Sequence, residues 1–147
     1  MLANGRGRDA VIEARDRGVL FDVGHGMGSF GFATGRAMLD QGFGPDTISS
    51  DVHPMCIDGP AFDLLTTMTK FLALGLDLGT VIDAATRRPA QALRRPDLGS
   101  FAEGSMGDAS LVALEETPID LVDAVGEVVH HSVRLAARGL VVEGQVL

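Results

Sequence analysis

The chain has 147 residues, enough for one ordinary domain, and its 46% apolar content supplies a core and argues against disorder. No apolar run reaches the ~20 residues of a membrane span, and residues 1–16 lack the apolar stretch of a secretion signal. A net charge of −8 argues against nucleic acid as a partner, and one cysteine, Cys56, excludes an internal disulfide or a cysteine-rich zinc site and suits a reducing, cytoplasmic setting.

Asp9 to Arg17 reads as a short helix stopped by Gly18. Val19 to Val23 follows as a buried strand, then a glycine-rich loop from Gly24 to Gly28. A helix over Phe32 to Gln41 ends before Gly42. Pro45 and Asp46 turn the chain into a second strand, Thr47 to Ser50. One helix-length segment between two strands is βαβ spacing and predicts parallel neighbours. Residues 51–60 form a loop, and the Phe62/Leu65, Leu65/Met68 and Met68/Leu72 spacings predict an amphipathic helix over 61–74, with Lys70 on its solvated face. Asp77 starts a further helix through Ala85, and Thr86 caps a last short one reaching Leu93.

From Gly99 onward the pattern is β: 110–114, 126–129, 132–135 and 140–142 are short apolar runs between Gly, Pro and acidic turns. The boundary falls near Pro96 to Gly99, dividing residues 1–97 from a small β part, 98–147. Two parallel strands cannot cover both of their faces, so the first part is expected to have open edges and to self-associate.

Chemistry-bearing residues gather at the two strand ends. Asp51 follows the second strand, His53 comes two residues later, and Gly24-His25-Gly26 follows the first. Polar residues at the C-terminal ends of parallel strands are where α/β barrels and open α/β sheets hold their active sites. An acid ending a strand of Thr, Ile and Ser needs a partner or a cation, or else serves as a cap. His25 fits a hydrogen-bonded structural ring as well as a substrate contact, and His53 fits a ligand, a substrate contact or a loop residue. His130 and His131 read as surface residues. A competing motif is Gly26-Met27-Gly28-Ser29-Phe30-Gly31, which matches G-x-G-x-x-G after a strand and before a helix. Against a nucleotide fold, residues 61–93 carry helices with no strand between them.

Taken together, Gly18-Val-Leu-Phe-Asp-Val-Gly-His-Gly26, Ser29-Phe30, Pro45-Asp-Thr-Ile-Ser-Ser-Asp51, His53 and Gly59-Pro60 resemble the amidohydrolase superfamily, in its deacetylase and dihydroorotase-like branch. Gly99-Ser-Phe-Ala-Glu-Gly-Ser-Met-Gly-Asp108 resembles the superfamily's G-x-L-x-x-G-x-x-A-D motif, with Phe101 and Gly107 as mild departures. The resemblance implies the C-terminal portion of a TIM (β/α)8 barrel, its last two βα units and trailing helices, followed by a small β-sandwich-type subdomain. Asn4-Gly5 is read as the remnant of the loop preceding the missing region of the barrel. The implied function is metal-dependent hydrolysis of an amide or ester bond in a small acyl or amide substrate. Asp51 matches the family's aspartate, which touches both the metal, zinc first, and the attacking water. His25, Gly26 and His53 would line the substrate side. The family's His-x-His pair, lysine and later histidines have no counterpart here, so the chain is expected to be inactive alone and to need the missing barrel portion. The readings in competition are a non-catalytic assembly module and a nucleotide-binding protein using the 26–31 loop.

Overall fold

The computed structural model describes residues 7–147; Asn4 and Gly5 lie outside the described residues. The chain runs α1 (Asp9–Asp16), β1 (Asp22–Gly24), α2 (Phe32–Leu39), β2 (Thr47–Ser49), α3 (Leu64–Ala73), α4 (Leu78–Ala85) and α5 (Arg87–Ala92). Five strands follow: β3 (Ala109–Glu115), β4 (Ile119–Val122), β5 (Val128–His131), β6 (Arg134–Val142) and β7 (Gln145–Val146).

β1 and β2 pair in parallel, Val23 opposite Ile48, as the βαβ spacing predicts. β1 is shorter than expected. Val19 and Leu20 are exposed rather than buried, since they precede the stretch of β1 that β2 reaches. α3 begins one residue after Asp63, whose side chain accepts the Thr66 amide at 2.6 Å, and α4 begins after Asp77, which accepts the Thr80 amide at 2.9 Å. Thr86 makes no such cap: its hydroxyl donates back to the Ile82 carbonyl at 2.7 Å.

The later strands form antiparallel sheets ordered β3-β6-β7 and β4-β5. Two features differ from the sequence pattern. β4 was unpredicted because Pro118 and Asp120 interrupt its apolar run, and the runs 132–135 and 140–142 merge into β6. The low-propensity residues Ala136 to Gly139 are carried inside β6 by pairing with β3. Opposite Leu111 and Val112 the register jumps from Gly139 to Ala137, leaving Arg138 as the bulged residue.

One core runs through both parts of the chain. Phe30, Phe32, Ile48, Met68, Phe71, Val81 and Ala84 are buried together with Leu121 of β4 and Leu135 of β6. Phe30 packs edge-on against both Phe32 and Phe71, at centroid separations of 5.2 and 5.5 Å. The Leu135 amide donates to the Thr69 hydroxyl at 3.1 Å, so β6 is seated on α3 by a buried hydrogen bond as well as by apolar contact.

The turn into the β region depends on Gly99, at φ +65, where a Cβ would lie 2.8 Å from the Thr86 carbonyl oxygen and 2.9 Å from the Arg87 Cα. Neither backbone atom can rotate away. Gly99→Ala is therefore expected to cost ~1–3 kcal/mol in urea unfolding. An unchanged midpoint would mean that the 93–99 turn rearranges freely.

Candidate active site

Alternation along the paired strands sorts their side chains onto two faces. Val23 and Ile48 point into the core; Asp22, Gly24, Thr47, Ser49 and, past the strand end, Asp51 share the other face. That face is polar and self-satisfied: the Asp22 carboxylate accepts the Thr47 hydroxyl at 2.7 Å and the Ser49 hydroxyl at 2.5 Å.

Asp51 is exposed at the C-terminal end of β2, with φ 48. A non-glycine residue in the left-handed region stores about 1–3 kcal/mol of strain, of the kind that collects at functional positions. Two glycines make room for it. A Cβ on Gly24 would lie 3.2 Å from the Asp51 Cβ, and one on Gly26 only 2.7 Å from its Oδ2. Gly26 itself sits at φ +49 and donates its amide to the Ser50 carbonyl at 2.9 Å. The sequence therefore brings Gly26 and Asp51 together, as neighbours at one sheet edge.

His53 belongs to a tight turn. Its Nδ1 accepts the Met55 amide at 3.3 Å, its own amide donates to the buried Cys56 sulfur at 3.3 Å, and its carbonyl accepts the Cys56 amide at 2.9 Å. It follows Asp51 but serves the turn.

His25 takes the structural one of its two readings and not the rim position that the resemblance implies. Its ring is buried, not at the rim, and stacks on Phe30 at 4.9 Å. Nδ1 lies 3.0 Å from the Gly26 carbonyl oxygen, and Nε2 lies 2.6 Å from the Lys70 Nζ. Burial pushes its pKa below the ordinary 6.5, and the Lys70 charge pushes the same way, so the ring is neutral near pH 7.

Lys70 is the residue the pattern misplaced. It is buried, not solvated, and donates to the Pro60 carbonyl at 2.6 Å and the Val122 carbonyl at 2.7 Å. Burial lowers its pKa to about 8, against the opposing pull of Asp123 and Asp63. Residues 67–71 are buried in succession, so this turn of α3 has no solvated face for Lys70 to occupy.

Asp123 also escaped the sequence reading. Buried after β4, it accepts the amides of Phe32 at 2.9 Å, Val125 at 2.9 Å and Glu127 at 2.8 Å. Burial alone would raise its pKa; the backbone donors, Phe32 foremost, outweigh it and hold the carboxyl below its ordinary value. Its position also answers the glycine-loop motif. The α2 N-terminus, where a phosphate would sit, is already occupied by a carboxylate from the chain itself.

A cleft of about 400 Å³ lies at the opposite end of the strands, among Leu20, Asp46, Asp83, Arg87, Arg88 and Gln91. Its two arginines both pair with Asp83, and it is far in the fold from the strand ends that carry Asp51. His130 is exposed beside Asp120, and His131 is half-buried. Among the described residues no three His, Cys, Asp or Glu side chains converge, so they do not build a whole metal site; Asp51 offers one carboxylate. No described helix is long and apolar enough to cross a membrane.

The profile of the amidohydrolase family matches residues 7–147. A deacetylase of Brucella anthropi is 29% identical over 135 residues, 85% of this chain and 34% of that protein. A deacetylase of Agrobacterium fabrum is 30% identical, over 85% of this chain and 33% of its own length. Among solved structures, an adenine deaminase superposes with a TM-score of 0.94 at 27% identity, covering 99% of this chain and 40% of the other. A dihydroorotase gives 0.80 at 28% identity, covering 95% and 39%. The chain thus spans about a third of the length of the curated relatives it matches. On its own sequence and fold, the chain is a member of the amidohydrolase family.

Proposed function

We propose that this chain is the portion of a metal-dependent amidohydrolase that supplies the aspartate after the final barrel strand, with β1 and β2 as the last two barrel strands and 109–146 as the small sandwich-type subdomain. The observation that carries this reading is Asp51: an exposed carboxylate in strained backbone at a strand's C-terminal end, with two glycines cleared for it. The substrate is a small molecule with an amide, another carbon–nitrogen bond or an ester, in keeping with the deacetylase, deaminase and dihydroorotase relatives. The setting is the cytoplasm, where a single buried cysteine stays reduced.

In this role Asp51 accepts the proton of the water that attacks the carbonyl and returns it to the departing amine or alcohol. A divalent ion, zinc first, would have Asp51 as one ligand, and its other ligands would come from the associating barrel portion. Gly26 and His53 border the same strand end. The polar face of Asp22, Thr47 and Ser49 is the side that the preceding strands would close over.

The test is complementation. The chain is co-expressed with the N-terminal two thirds of the Agrobacterium fabrum deacetylase, and acetyl-amide hydrolysis is assayed with added zinc. Hydrolysis by the complex, with neither piece active alone, is the expected result. A stable complex without hydrolysis speaks for an assembly module, and hydrolysis by the chain alone refutes the need for a second portion.

A further inference from the structure

We propose that Lys70 is a positioning residue: it holds His25 as the Nδ1–H tautomer and through it seats the Gly26 backbone against the Asp51 carboxylate. The proposal rests on the reading of Asp51 given above. An ammonium group has three donors and no acceptor. Three groups lie within 2.7 Å of Nζ: the carbonyls of Pro60 and Val122, and Nε2 of His25. The carbonyls can only accept, and a charged lysine can only donate, so Nε2 must present its lone pair. The ring proton is then on Nδ1, where it donates to the Gly26 carbonyl oxygen at 3.0 Å.

This assignment makes a continuous chain of contacts to Asp51. Lys70 fixes the ring, the ring fixes the Gly26 carbonyl, and the Gly26 amide is tied to the Ser50 carbonyl, one residue before Asp51. A further Lys70 bond grips Pro60 in the loop that leaves Asp51, and the third grips the end of β4. Three segments far apart in sequence thus meet on one buried cation behind the candidate catalytic carboxylate. Burial keeps the ring neutral, and Phe30 stacked on its face holds its plane.

The test uses the chain by itself, so it does not depend on hydrolysis. Long-range proton–nitrogen correlation at pH 7 is expected to show His25 protonated on Nδ1 and bare on Nε2, although a free neutral imidazole prefers the reverse. Lys70→Met keeps the packing and removes the donors. It is expected to release the tautomer, shift the Asp51 carboxyl carbon resonance and speed Gly26 amide exchange ~10-fold or more, leaving Ile48 and Phe71 protected. A wild-type ring protonated on Nε2 overturns the proposal. So does a Lys70→Met variant with unchanged Gly26 exchange and Asp51 resonance, or one that loses protection uniformly through the core. If Lys70→Met does not fold, His25→Gln decides, since glutamine offers Lys70 an acceptor without a donor placed for the Gly26 carbonyl. Faster Gly26 exchange supports the assignment, and unchanged exchange refutes it. A failure here with successful complementation would spare the Asp51 reading, and the converse would spare Lys70.

Discussion

Asp123→Ala is expected to be the most destabilising single substitution in the chain, at about 3–5 kcal/mol in urea unfolding, because it removes a buried charge on which other groups depend. The carboxylate satisfies three backbone amides, and the Phe32 amide that it accepts is buried at the start of α2. The loss also deprives Lys70 of a compensating negative charge. Against a total stability of ~5–15 kcal/mol for a domain of this size, such a loss leaves little reserve. Asp123→Asn keeps an acceptor oxygen and should fall between the two. A change below ~1 kcal/mol for the alanine variant would show that Phe32 finds another acceptor.

The same groups set the direction of the pH response. His25 titrates below 6.5 in the folded chain, so as pH falls from 6.5 the unfolded state takes up the proton first and stability declines. Asp123, held below its ordinary 3.8, acts in the same sense lower down: its stabilisation is present above that value and is lost as pH falls through the folded one. Acid unfolding is therefore expected in two overlapping stages, and His25→Gln should remove the first. A stability profile flat from pH 7 to 5 would contradict this assignment for His25.

Asp51→Asn, made in the complemented enzyme, is expected to lower kcat at least ~10²-fold with little change in KM, since it removes the proton acceptor and retains the shape. The choice of asparagine matters. Asn tolerates the left-handed backbone that position 51 requires, so the loss cannot be assigned to strain. Equal rates with Asp and Asn at this position would end the catalytic assignment.

The strand-end chemistry was legible because it depends on local pattern. Thr47 to Ser49 is β-prone, Pro45-Asp46 turns the chain into it, and the acid sits directly after it. α3 and α4 were legible for a similar reason, α3 from its apolar spacing and α4 from Asp77, which caps it within one turn. What was not legible depends on partners far along the chain. Lys70 looks like a solvated lysine until Val122 and His25 are placed beside it. Asp123 looks like a turn residue until α2 arrives at its carboxylate. His25, flanked by glycines, left a structural ring and a substrate contact equally open, until Phe30 five residues on is seen to fold back over its ring. The long β6 was hidden because its middle carries residues with weak strand preference, which β3 compels into the ladder.

The cap on α2 also has a consequence for synthesis. Phe32 and Asp123 are 91 residues apart, and the Lys70 contact to Val122 spans 52. A nascent chain therefore exposes the first βα unit long before it makes the carboxylate that completes it. Until β4 leaves the ribosome, the start of α2 has an open amide, and the Lys70 ammonium lacks one of its carbonyls. Closure of the strand-end region therefore waits on Val122 and Asp123, and the first βα unit stays unfinished until they have been made.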